Sequence, residues 1–127
     1  MDEILASSVR QIAEAIRSKR VSAKQVTVAF LDRINTVNPA LNAVIASNAE
    51  AALKQAERAD IALSGGETPG KLFGVPMTIK DSLDTFDMTT TWGTVGRKDF
   101  RPGRDATCVA RLRHEGAILL GKTNTPE

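Results

Sequence analysis

The stretch GAILLGKT, residues 116–123, admits two incompatible readings, and the fold follows from the choice between them. Gly116, Gly121, Lys122 and Thr123 meet every fixed position of the phosphate-loop pattern G-x-x-x-x-G-K-[ST]. A phosphate loop, however, follows its strand and turns consecutive backbone amides inward on an anion. Here the variable positions are Ala117, Ile118, Leu119 and Leu120, four apolar residues that read as the buried strand parallel sheets favour. On that reading Gly116 caps the preceding helix, Gly121 ends the strand and Lys122 stands just past it. Nucleotide binding is thereby discarded, and 117–120 becomes a core element of an α/β sheet.

Working outward, CVARLRHE (108–115) reads as a helix with Val109 and Leu112 inward, capped by Asp105 or Thr107. FGVPMTIKD (73–81) is a strand ending in a Lys-Asp pair, with Val75, Met77 and Ile79 alternating against Pro76 and Thr78. SGGETPGK (64–71) concentrates Gly and Pro and is a loop; its own near match to the phosphate pattern fails at Leu72, where a hydroxyl is required. Before it, Asn48 can cap an Ala-rich helix whose Ala49, Ala52, Leu53 and Ala56 make a narrow stripe, and LNAVIAS (41–47) is a short strand. The chain opens with two helices. One spans 8–19, with Val9, Ile12, Ala13 and Ile16 on one face. The other starts at a Ser22–Gln25 capping box, buries Val26, Phe30, Leu31 and Ile34, and stops at Asn38-Pro39. The predicted fold is α/β, helices packed on a mixed sheet, with residues 1–40 a helix pair outside the sheet and 41–127 the start of the α/β core.

Bulk properties narrow the function classes. The 127 residues suit one domain or part of one, and 42% hydrophobic with 25% charged residues is ordinary for a globular protein. No run of eighteen apolar residues suggests a membrane span, and MDEILASSVR lacks the features of a secretory signal, so a cytoplasmic location is expected. The segment GRKDFRPGR (96–104) carries three arginines and a lysine against one aspartate, with Phe100 its only aromatic residue. It reads as a solvated loop, and no nucleic-acid partner is expected. Cys108 is the single cysteine, expected to be a buried, inert thiol; His114, the single histidine, falls in the last turn of a helix, where its cation suits the macrodipole. Asp81 and Asp84 have no further oxygen ligands at hand, and no metal or other cofactor is expected.

Lys80 stands apart. It ends the apolar strand VPMTIK and so places an amine at the mouth of a sheet, where open α/β sheets bind ligands. Desolvation there would lower its pKa and free a proton acceptor near neutral pH. The alternative is a surface lysine paired with Asp81 or Asp84.

Taken together, KLFGVPMTIKDSLDT (71–85), TTTWGT (89–94), RDATCVARLRHEGAILLGKTNTPE (104–127) and RVSAKQVTVAFLDRINTVNPALNAVI (20–45) resemble the N-terminal portion of the amidase signature family. The motifs follow the family's order and spacing across essentially the whole chain. The resemblance implies that Lys80 is the lysine of a Ser-cisSer-Lys triad, with Asp81 and Ser82 supporting it and GKTN a structural turn. It also implies that a nucleophilic serine attacks a small-molecule amide, the amine leaves, and water hydrolyses the acyl-enzyme. In the family both serines lie downstream of the GKTN element, beyond Glu127, and none of Ser47, Ser64 or Ser82 sits in the Gly-Ser-rich segment required. These 127 residues alone are therefore expected to be inactive and to leave strand edges open, so that a homo-oligomer is compatible with the sequence. Two alternatives stand beside a plain amidase: the glutaminase (A-type) subunit of a tRNA-dependent amidotransferase, and a non-catalytic binding or assembly module in which Lys80 is structural.

Overall fold

The computed structural model describes residues 1–67 and 70–126. Thr68 and Pro69 of the expected 64–71 loop, and Glu127, lie outside the described residues. In chain order the elements are α1 (Asp2–Leu5), α2 (Val9–Arg17), α3 (Ala23–Leu41), β1 (Val44–Ser47), α4 (Ala49–Ser64), β2 (Pro76–Lys80), a 3-10 turn (Val95–Arg97), α5 (Thr107–His114) and β3 (Ile118–Thr123). The mixed α/β architecture agrees with the sequence reading.

Local chemistry explains the helix starts. Ser8 with Gln11 and Ser22 with Gln25 each form a reciprocal capping box, the first of them not read from sequence. Helix α3 has a second cap, from a distance: the Asp60 carboxylate of α4 accepts hydrogen bonds from Ala23 N at 2.7 Å and Lys24 N at 3.0 Å. A carboxylate at a helix N-terminus meets unpaired amides and the positive end of the dipole, so this contact locks α3 against α4. Pro39 does not stop α3, because a proline in the last turn forfeits a single intrahelical bond; the helix runs to Leu41 and ends at Asn42, φ +49°. The Asn38 side chain turns out of the helix to pair with both the N–H and the C=O of Val44, at 2.8 and 2.9 Å, and so starts β1.

The sheet has the order β1-β3-β2, with β3 antiparallel to β1 and parallel to β2. The parallel pair is joined through α5, as parallel strands require a crossover. Two apolar clusters lie on the two faces. Ile118 and Leu120 join Val75 and the inward residues of α2, α3 and α4; Leu119 joins Ile79, Met88 and Val109 on the side of α5. The expectation that Ile118–Leu120 are buried on both faces is met, at 0–3% exposure. The two N-terminal helices pack over the first face as one layer with α4.

Three details differ from expectation. Val9 is exposed, and Ala15 takes an inward place on α2 instead. Cys108 is exposed, because Val109 and Leu112 set the inward face of α5 and leave their neighbour outside. The cap position of α5 is Ala106, without a side-chain cap; Asp105 instead accepts from Phe86 N at 2.9 Å.

Strand β3 also runs further than the sequence suggested. Gly121 and Lys122 lie inside it, paired with β1 and β2 on either side, so the phosphate-loop residues form the middle of a sheet. Gly121 is required there: a Cβ would stand 2.4 Å from the Ala46 carbonyl oxygen. Gly121→Ala should therefore force β1 and β3 apart and cost about 1–3 kcal/mol, as overpacking does. Denaturant unfolding measures this, and an unchanged midpoint would contradict the β1–β3 register.

Candidate functional site

The sheet carries the site at the C-terminal ends of β2 and β3, which run side by side. Along β2 the paired positions are Met77 with Leu119, Thr78 with Gly121, Ile79 with Lys122 and Lys80 with Thr123. Leu120 is thus an extra residue on β3, a bulge. Without it, Lys122, three positions after Leu119, would point to the opposite face. The bulge restores it to the side of Ile79, away from the helix layer α2–α4.

On that side Lys122 is fully buried, at 0% exposure. Its Nζ donates to Thr90 Oγ1 at 2.8 Å and to Leu83 O at 3.0 Å, with Thr85 Oγ1 and Thr89 O at 3.3 Å. Asp81 Oδ1 lies 3.3 Å away, an ion-pair distance without hydrogen-bond alignment. Burial pushes the Lys122 ammonium below its ordinary 10.5, while the Asp81 carboxylate, and more weakly Asp84 and Asp87, pull the other way.

Asp81, 1% exposed, is the second hub. Its Oδ2 accepts from Thr91 N at 3.2 Å and from the Thr91 hydroxyl. Its backbone N–H donates to Thr123 O at 2.9 Å and its carbonyl accepts from Trp92 N at 3.1 Å. These bonds hold Trp92 at φ +55°, a left-handed conformation that costs a bulky residue free energy. Around this loop Arg97 stacks between Trp92 and Phe100, at 3.4 and 4.0 Å from the ring centroids, and Arg101 donates to Asp87 O at 2.8 Å. Two arginines of the basic 96–104 segment are thus engaged within the fold.

The three predicted site residues fall together, in different environments. Lys80 is exposed at the end of β2, Asp81 is buried beneath it, and Ser82 is exposed in the turn closed by Leu83 N on Lys80 O at 3.0 Å. Of the two readings of Lys80, these residues alone give the exposed one, though without the ion pair to Asp81 or Asp84: the lysine that they desolvate is Lys122, and Asp81 pairs with it. GKTN is likewise no turn, since its first three residues are strand. Local rules do not bring out Lys122, because a glycine after an apolar run reads as a strand end. The available signal was a lone lysine continuing an apolar run, with a threonine-rich segment, residues 89–91, to receive it. His114 is exposed at the end of α5, away from this cluster. A cleft of about 720 Å³ between α3 and β1 is also remote from it. Among the described residues no helix is long and apolar enough to cross a membrane.

The sequence profile of the family described as Amidase matches residues 25–127. The chain belongs to the amidase family. Among curated relatives, the A-type subunit of the glutamyl-tRNA(Gln) amidotransferase of Bdellovibrio bacteriovorus is 42% identical over 121 residues, covering 95% of this chain and 24% of the relative. Its counterpart from Coxiella burnetii is 41% identical over 120 residues, covering 94% and 25%. Among solved structures, the native peptide amidase of Stenotrophomonas maltophilia superposes with a TM-score of 0.86 at 36% identity, over 93% of this chain and 24% of that one. The present chain therefore spans about a quarter of the length of these amidase-family relatives. Its α/β fold is that of amidase-signature structures, fatty acid amide hydrolase included, at a TM-score of 0.91.

The buried pair sets two expectations. Lys122→Met strands the Asp81 carboxylate in the interior and should cost about 3–5 kcal/mol in unfolding measurements. The second concerns pH. With the folded-state value below 10.5, both states hold the Lys122 proton under the folded-state value, but only the unfolded chain holds it between there and 10.5. In that alkaline window the stability of the parent should rise with pH relative to Lys122→Met, and become flat above it. A difference that falls with pH would show that the pair favours the ammonium form more than burial opposes it.

Proposed function

We propose that this chain is the N-terminal portion of an amide-cleaving enzyme of the glutaminase type, the A-type component of a tRNA-dependent amidotransferase. The observation that carries the reading is the 38–42% identity to such A-type components over 94–100% of the chain. Lys80 serves as the proton acceptor at the end of β2. Through an intermediary serine it takes the proton of a nucleophilic serine, which attacks the glutamine side-chain amide; ammonia leaves with a proton, and water then cleaves the acyl-enzyme. Both serines belong to the part of the enzyme outside these residues. Ser82 and Asp81 support the lysine, Asp81 from beneath.

A free-standing amidase is the second reading, favoured by the 36% identity to the peptide amidase at a TM-score of 0.86. Ammonia release from glutamine, measured on the intact protein with and without its partner proteins, separates the two. Partner-dependent release supports the amidotransferase reading; release from peptide amides without a partner supports the amidase. In either case Lys80→Ala should lower kcat by about 10²–10⁴-fold, the usual contribution of a positioned acid-base group. Full activity in that variant would reject Lys80 as the proton acceptor, whereas an intact parent protein inactive with and without partners would leave a binding or assembly role. The 127 residues on their own, with the lysine alone, should release no ammonia from either substrate.

A further inference from the structure

The five oxygens around Lys122 Nζ, at 2.8–3.3 Å, come from two backbone carbonyls, two threonine hydroxyls and one carboxylate. An ammonium has three protons, so the cage satisfies it partly by directed hydrogen bonds and partly as a shell of negative dipoles around a compact cation. All of the cage oxygens except that of Asp81 belong to the loop 83–90, where Leu83, Thr85, Thr89 and Thr90 supply them. That segment has few hydrogen bonds of its own: Met88 N on Thr85 O, at 3.4 Å, is long, and the loop has no helix or strand. Its outer edge is held from residues 100–113, by Ala106 N on Asp84 O, Phe86 N on Asp105 Oδ1 and Thr90 N on Phe100 O, all at 2.9 Å, and by Arg101 and Arg113 on Asp87 at 2.8 and 2.7 Å; its inner edge, where the four cage oxygens converge, has Nζ as the shared partner.

We infer that Lys122 is a positioning residue whose ammonium acts as a tethered monovalent cation, organising loop 83–90 and, through Asp81, the strand end that presents Lys80. The chain of contacts is continuous. Nζ binds Leu83 O, whose own N–H closes the turn onto Lys80 O; Nζ also faces Asp81, which fixes Thr91 and Trp92. A covalent tether suits this task better than a free ion, since it cannot dissociate and its charge is in place as soon as β3 joins the sheet. The groups facing Nζ are Asp81 from the end of β2 and, farther off, Asp84 and Asp87 from the loop. The catalytic consequence rests on the reading of Lys80 as proton acceptor; the cage itself does not.

Truncation to alanine tests this, because Lys122→Ala removes a fragment equivalent to propylammonium. With the intact protein, added propylammonium should restore thermal stability to Lys122→Ala in a saturable way, while 1-propanol, of similar size and uncharged, should not. The parent protein should be unaffected, and Asp81→Asn/Lys122→Ala should gain at least tenfold less. If Lys122→Ala does not stay folded, the same comparison is read as recovery of soluble protein on refolding. Lys122→Met, which fills the space without charge, should speed amide exchange at Thr90, Thr91 and Trp92 at least tenfold more than at Leu119, a core amide whose acceleration reports the global loss of stability alone. Equal rescue by propanol, no rescue by the ammonium, or unchanged exchange in Lys122→Met would overturn the inference. For the positioning role, propylammonium should return kcat of Lys122→Ala at least tenfold with KM within twofold. Rescue of stability without rescue of kcat would retain the cage and reject its link to Lys80. An active Lys80→Ala would instead reject the proton-acceptor reading and leave the stability result standing.

Discussion

A single ammonium group sits where a sheet, a turn and an irregular loop meet, and its contacts join all three. Lys122 belongs to the central strand, yet its side chain ends among oxygens of a loop more than thirty residues earlier in the chain. Burying a charge carries a large desolvation penalty unless acceptors replace the lost water. The loop supplies those acceptors, and Nζ in return ties its inner edge, while residues 100–113 hold the outer one. Asp81 completes the arrangement by neutralising the charge.

The bulge at Leu120 makes this geometry available. A regular strand would alternate Leu119 and Lys122 to opposite faces and bring the lysine into the apolar layer of α2–α4. One inserted residue redirects it, and Gly121 permits the close approach of β1 at the same point. The residues that imitate a phosphate loop thus have separate mechanical reasons for being there: Gly116, at φ +91°, ends a helix, Gly121 clears a carbonyl, and Lys122 carries the buried charge.

Much of the architecture was legible in the sequence. Apolar periodicity located α2, α3 and α4, the Ser22–Gln25 box marked a helix start, and the run Ala117–Leu120 announced a strand buried on both faces. The misreadings share a cause. By local habit Pro39 and Gly121 read as stops and Cys108 as buried, whereas each is decided by context: a helix already in its last turn, a strand beside a bulge, a helix whose inward face is set by its neighbours. The site divides the same way. Motif resemblance brought out Lys80, Asp81 and Ser82, which are contiguous in sequence. The cage joins Lys122 to loop residues 32–39 positions away, so no local pattern reveals it.

The strand order places the last strand of these residues in the middle of the sheet. Among the described residues neither β1 nor β2 has a partner until 118–123 are present, and β1 must wait through α4, β2 and α5 for its antiparallel neighbour. As the ribosome delivers the chain, the helices can collapse on one another early, with the Asp60 carboxylate already joining α3 to α4. Their apolar faces stay uncovered until β3 emerges. Its arrival supplies the partner for both strand pairings and the lysine for the cage, so neither the sheet nor the charge pair can form before it.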